Sequence, residues 1–319
     1  MKYWNSIEER LPTGRIEWPN GARLAVLVAF DYQAEVGDWF LPDGSDHYGQ
    51  ITEASYGGRV GIWRLLDILE KQGIKATFNT CGITAERYPE SAKAIVDGGH
   101  EIAGHTYSHR AQWTLSEDEE REEIRRTVKA IADLTGERIV GWRCPTVQPS
   151  PNTLRLLVEE GFVWDGNFLN YDLPYMLDVP GAGSLVEIPY TFSTDDFPFI
   201  YGAVNQAVGG FPGPRNTMAD LHQIQKDEFD VLYAESADAP RMFVFQNHPL
   251  IVGRAHRALY FDRLLEHMKA HDGVWFARFD EVAAWWREHY DRPSDPAEAV
   301  AALRFETSQR FAKPTGGEA

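Results

Sequence analysis

The chain has 319 residues, 43% of them hydrophobic, and its 31 Lys and Arg against 48 Asp and Glu give a formal net charge of -17. That length holds one large α/β barrel or two smaller domains, and the carboxylate surplus argues against nucleic acid or an anionic membrane as partner, because both would repel it and the sequence shows no basic patch. Two cysteines, Cys81 and Cys144, are too few for a disulfide framework or a four-Cys zinc ribbon and fit a reducing compartment.

After a polar, Pro-rich opening, Leu24 to Phe30 is an apolar run without polar alternation, which predicts a strand covered on both faces and ending at Asp31. Residues 37–58, rich in Gly, Asp and aromatics, read as a long excursion over one rim. Val60 to Leu69 carries apolar residues at helical spacing, Gly73 stops it, and Lys75 to Thr80 is the next strand. Pro89 opens a further helix that Gly98-Gly99 closes, and Glu101-Ile102-Ala103 leads into His105 and His109. Ser116 with Glu119 forms a capping box that starts a helix ending near Gly136. The mixed charge run from Glu117 to Arg126 reads as the solvated face of that helix.

Ile139 to Trp142 is a strand with Arg143 at its end, and Ser150-Pro151 begins a helix terminated by Gly161. Residues 166–215 read as a second rim insertion with one strand candidate at Leu185 to Ile188. The alternation resumes with a helix over Met218 to Tyr233, a strand from Met242 to Gln246, a helix over Leu259 to Ala270, a strand from Val274 to Ala277 and a helix over Phe279 to Tyr290. We expect residues 1–290 to form a single domain, and 291–319 a tail with a weak helix near Ala297 to Leu303 and a mobile end. The N-terminus lacks an apolar core of the signal-peptide kind and no run is long enough to span a bilayer, so the expectation is a cytoplasmic protein without a membrane partner.

This rhythm predicts a parallel barrel with helices outside, in which chemistry sits where strands end. Asp31, His105, Arg143 and His248 each fall at or just past such an end. Histidine is a common zinc ligand, and the four-residue separation of His105 and His109 aims both rings at one point if the backbone makes a helical turn there. Four strand-end polar residues at a solvated rim, with no shared task, is the plainer alternative. Aromatic residues of the rim insertions, Trp39, Phe40, Tyr56, Tyr175 and Phe197 among them, suit the walls of a pocket for flat rings or sugar faces. Packing beneath long loops is the alternative for each.

The pieces Phe30-Asp31-Tyr32-Gln33-Ala34-Glu35, Ala76-Thr77-Phe78, His105-Thr106-Tyr107-Ser108-His109, Arg143-Cys144-Pro145 and Asn247-His248-Pro249 occur in the order found in the polysaccharide deacetylase superfamily, which the chain resembles. Trp18 to Arg23, together with His248-Pro249 and Gly253-Arg254, is similar to its intracellular branch of allantoinase-like enzymes, cyclic imide hydrolases and a peptidoglycan deacetylase homologue. The resemblance implies a distorted parallel (β/α) barrel of the NodB-homology type with long rim insertions, and often a homotetramer.

It further implies Asp31 as general base, Arg143 as the partner that orients it, His248 as the acid that protonates the leaving nitrogen, and a divalent metal, zinc by preference, on His105, His109 and position 33. Glu35, Tyr56, Asp172, Tyr175 and Asp196 are the expected substrate contacts. Metal-binding members carry a carboxylate where this chain has Gln33. Three outcomes follow: weaker metal binding through Gln33, a shift of Asp31 or Glu35 into the ligand set, or a metal-free site in which the imidazoles donate to the substrate carbonyl. The leading expectation is a hydrolase of non-peptide C–N bonds in a small cyclic imide, ureide or lactam-like ring. A metal-dependent N-acetyl-sugar deacetylase and a non-catalytic binding protein are the alternatives.

Overall fold

The computed structural model describes residues 7–12, 15–36, 48–200 and 217–292. In chain order its elements are β1 (Glu8–Arg10), β2 (Leu24–Tyr32), α1 (Tyr48–Tyr56), α2 (Ile62–Gln72), β3 (Thr77–Thr80), α3 (Gly82–Arg87), α4 (Pro89–Asp97), β4 (Glu101–Gly104), α5 (Glu117–Thr135) and β5 (Gly141–Trp142). They continue with α6 (Thr153–Glu159), β6 (Trp164–Asp165), β7 (Tyr175–Val179), β8 (Gly183–Glu187), α7 (Asp196–Ile200), α8 (Met218–Glu235), β9 (Arg241–Asn247), α9 (Ala255–Lys269), β10 (Val274–Phe276) and α10 (Phe279–Tyr290).

All nine residues of β2 are buried. The strand pairs in parallel with β9 along one edge, and with β10 near its start and β3 near its end on the other. From β3 the sheet continues in parallel through β4, β5, β6 and β8, and the antiparallel strands β7 and β1 close that side. The result is the parallel (β/α) barrel that the strand and helix alternation predicts, distorted by the antiparallel strands as the family resemblance implies.

Strand parity explains which side chains face the interior, because successive residues of a strand point to opposite faces. Leu24, Val26, Val28 and Phe30 pack outward into the large cluster shared with the helices, whereas Ala25, Leu27 and Ala29 join Trp164, Val186, Met242, Val244 and Trp286 inside. Asp31 continues the inward series of β2. By the same count Ala103 is inward and His105 follows it, Trp142 is outward and Arg143 inward, and Met242 and Val244 lead to His248.

Several expectations need correction. The rim excursion is helical from Tyr48 and runs through a π-helical turn, Gly57–Gly61, into α2. The glycines there allow close approach, since a Cβ on Gly61 or Gly253 would collide with the Pro249 carbonyl oxygen. The second insertion contains the β7–β8 hairpin, of which only the second strand was legible, and α3 also escaped the sequence reading. Helix α6 starts at Thr153, beyond Ser150-Pro151, because the Ser150 hydroxyl bonds Glu120 and the Asn152 amide instead of capping a helix.

Helix α5 matches its signals, with the Ser116–Glu119 capping box formed and Gly136 in the left-handed conformation at φ 77. Its charge run is not wholly solvated, however: Glu120 and Glu123 are buried. The expected tail helix at Ala297 to Leu303, and Trp39 and Phe40, lie outside the described residues. No helix among the described residues is long and apolar enough to cross a membrane.

Candidate active site

Four strand ends deliver Asp31, His105, Arg143 and His248 to one opening, and all four side chains are buried. Asp31 accepts a hydrogen bond from Asn79 Nδ2 at 2.8 Å, its register partner on β3. Arg143 Nε lies 3.3 Å from Asp31 Oδ2, and the guanidinium sits over the Tyr190 ring, 3.7 Å from its centroid. Burial alone would raise the Asp31 pKa, but the nearby charge of Arg143, followed by His105, His248 and the Asn79 bond, holds it at about 2. Asp31 is therefore an anion across the physiological range.

His248 approaches the same oxygen of that anion, its Nε2 3.9 Å from Asp31 Oδ2. Its backbone amide donates to Asp196 Oδ2 at 2.9 Å, its ring Nδ1 bonds Asp196 Oδ1 at 2.7 Å, and Asp195 lies 3.7 Å away. Burial disfavours the imidazolium, yet the carboxylates, Asp196 foremost, push the His248 pKa up to about 9. A protonated imidazole and an ionised carboxylate thus face each other.

The two metal-site candidates are held by a different device. The segment after β4 does not make the helical turn on which the convergence of the rings was conditional; Thr106 and His109 instead adopt φ 60 and 59, and the bend brings the two imidazoles to 5.0 Å between centroids. Glu123 of α5 braces the bend, accepting from the amides of Tyr107 and Ser108 at 2.9 and 2.8 Å and from the Ser108 hydroxyl at 2.8 Å. His105 Nδ1 donates to the Arg143 carbonyl at 2.8 Å, which leaves the lone pair on Nε2. Burial lowers the pKa of both imidazoles, so both are neutral, the form that ligates.

Gln33 is buried, and its side-chain oxygen has no hydrogen-bond donor among the described residues. An orphaned acceptor of this kind calls for a partner. Together with two neutral imidazoles it makes a donor set that fits a divalent cation, without the charge a carboxylate would add.

The five expected substrate contacts separate. Asp196 lies beneath His248 as its positioning residue. Glu35 is engaged by the Tyr88 hydroxyl at 2.8 and 2.9 Å and by Arg87 at 2.8 Å; the alternation that would align it with Asp31 stops because β2 ends at Tyr32 and Ala34 has φ 50. Tyr56 accepts from Arg64 at 2.8 Å and lies under the Arg254 guanidinium. Tyr175 is fully buried on β7 with its hydroxyl donating to Asn170, so it offers a substrate no free face. Asp172 borders a cavity of about 160 Å³ that also touches Tyr190, Glu228 and Met242.

Asn79, Glu123, Tyr190 and Asp195 belong to the arrangement and were not singled out from sequence. For Asn79 the available signal was its inward parity at the end of β3. The other three are brought in by tertiary packing alone.

The sequence profile of the family described as polysaccharide deacetylase matches residues 55–163, which include His105, His109 and Arg143. The chain is 31% identical over 286 residues to a peptidoglycan deacetylase of Helicobacter pylori, covering 81% of this chain and 95% of that protein. Among solved structures it is similar to a Mycobacterium smegmatis protein assigned to the polysaccharide deacetylases, with 32% identity, a TM-score of 0.79 and coverage of 90% and 98%. It is also similar to Puue allantoinase, at 31% identity and a TM-score of 0.76, covering 85% and 93%.

Proposed function

We propose that this chain, which belongs to the polysaccharide deacetylase family, hydrolyses a non-peptide amide C–N bond by acid–base catalysis at the opening formed by Asp31, Arg143 and His248, with an N-acetylated amino sugar as the favoured substrate class. The observation that carries the reading is the pairing of an imidazolium with a carboxylate 3.9 Å away, each held in its charged form by its own neighbours. The peptidoglycan deacetylase likeness, which spans nearly the whole of that relative, supports the acetyl-sugar class ahead of the ring substrates first expected from sequence.

In this mechanism Asp31 orients water and accepts its proton, with Arg143 fixing the carboxylate. His248 gives its proton to the departing nitrogen, so that an amine rather than an amide anion leaves. Asp196 keeps the Nδ1 side of His248 occupied, which directs Nε2 toward the reacting bond. A divalent cation on His105, His109 and Gln33 would, when bound, polarise the carbonyl and acidify the water, which a carboxylate as weakly basic as Asp31 needs.

A second reading, hydrolysis of a cyclic ureide or imide, is favoured by the allantoinase likeness and by the neutral amide at position 33. Assays on an N-acetylglucosamine oligomer, allantoin and succinimide separate the two. Acetate release that falls about 100-fold or more in both Asp31→Asn and His248→Gln is the expected result. Acetate release that survives both substitutions sinks the assignment, and ring opening without acetate release moves the protein to the second reading.

A further inference from the structure

At the end of the barrel opposite the mouth, α8, α9 and the bend after α9 place Asp230, His267 and His271 side by side, with one ligand atom from each all within 4.8 Å of one another. Helices of a (β/α) barrel run back against the strands, so the C-terminal turns of α8 and α9 lie at the face away from the catalytic strand ends. Nothing in the acid–base chemistry uses these residues.

We propose that Asp230, His267 and His271 form a second metal site, for a borderline first-row cation of the zinc class. His271 Nδ1 is 2.9 Å from the His267 carbonyl oxygen. A carbonyl can only accept, so Nδ1 carries the proton and Nε2 holds the free lone pair, the same fixing of the tautomer by a second hydrogen bond that metal-bound histidines use.

His267 Nε2 donates a hydrogen bond to Asp230 Oδ1 at 2.6 Å, a proton that a bound cation would displace, and the other oxygen of that carboxylate is held by Lys226 at 2.5 Å. Lys226 thereby settles which oxygen faces the imidazoles. The two rings are 4.8 Å apart, and Phe229 and Tyr233 pack against them, Tyr233 at 4.5 Å from His271, so little side-chain freedom remains to be lost on binding.

Two imidazole nitrogens and one carboxylate oxygen are a zinc-type donor set, with a fourth position left for water. Oxygen-preferring cations such as magnesium lack enough oxygen donors here. Asp230 would supply the only anionic ligand of the three, and Lys226 on its other oxygen already offsets part of that charge. A bound ion would tie α8, which leads into β9, to α9, which follows it.

The test uses the untagged full chain, stripped with a chelator and titrated with zinc in competition with a chromophoric chelator. The double variant H105A/H109A, which lacks the mouth imidazoles, should still take up one zinc, and adding H271Q or D230N should abolish that uptake. H271Q alone should leave hydrolysis unchanged while removing the zinc-induced rise in melting temperature contributed by this site. The proposal is overturned if folded H105A/H109A takes up no zinc, or takes up the same amount with and without H271Q. Should the double variant fail to fold, wild type and H271Q are compared directly, and equal zinc contents overturn the proposal.

Discussion

The charge on His248 gives the sharpest test, through Asp196→Asn. Raising an imidazole from 6.5 to about 9 corresponds to about 3 kcal/mol in favour of the protonated form, and because burial pulls the other way the neighbouring carboxylates supply more than that. Asp196, Asp195 and Asp31 approach His248 to 2.7, 3.7 and 3.9 Å. On inverse distance alone Asp196 provides roughly two-fifths of their attraction, so neutralising it removes at least about 1.4 kcal/mol, or about one pH unit.

The alkaline limb of the kcat/KM profile should accordingly fall from about 9 to about 8 or lower, with activity near neutrality reduced far less than activity above it. Stability gives an independent readout. A pKa raised in the folded state contributes stability that is complete below the unfolded value near 6.5 and is lost as pH rises through about 9. The variant should therefore lose less stability across that interval than the native protein. An alkaline limb that does not move, or a loss of activity equal at every pH, would refute His248 as the acid.

Arg143→Met leaves the buried Asp31 without its principal counter-charge; the carboxylate pKa should climb, an acid limb should enter the pH–rate profile, and activity should drop about 100-fold or more. Gln33→Asp should increase the zinc retained after dialysis, and unchanged retention would show that position 33 does not face the ion. Glu123→Ala removes three hydrogen bonds from the bend between His105 and His109, so zinc affinity should fall about 10-fold or more while chelator competition in the native protein sets the reference. Gly61→Ala drives a methyl group against the Pro249 carbonyl beside His248; calorimetry should show a loss of about 1–3 kcal/mol together with lowered turnover, and an unaltered protein would mean that this contact does not constrain the acid.

Much of the framework was legible because burial on both faces leaves an unmistakable apolar run, as in β2 and β9, and because caps such as Ser116 and Gly136 act locally. The bounds of α10 followed from its own periodicity. Strands β1 and β7 were not legible, since Tyr175–Val179 becomes a strand through pairing with residues far along the chain. At the site, strand ends announced Asp31, His105, Arg143 and His248. The roles of Asp196, which grips His248, and of Glu123, which lies among exposed charges in sequence, depend on which face of a helix meets which loop. How His105 and His109 converge was not legible, because residue spacing cannot reveal left-handed backbone at Thr106 and His109.

Asp31 and His248 are carried by strands joined rung by rung, with Phe30 opposite Asn247 at the last rung. The positions of the two backbones are thus inherited from strand hydrogen bonds, while the orientation and charge of the His248 ring depend on Asp196 of the second rim insertion. Insertions that keep Asp196 in place could lengthen, shrink or change chemistry over evolutionary time without moving the two strand ends, so one scaffold could serve open-chain and cyclic amides by replacing the rest of its edges.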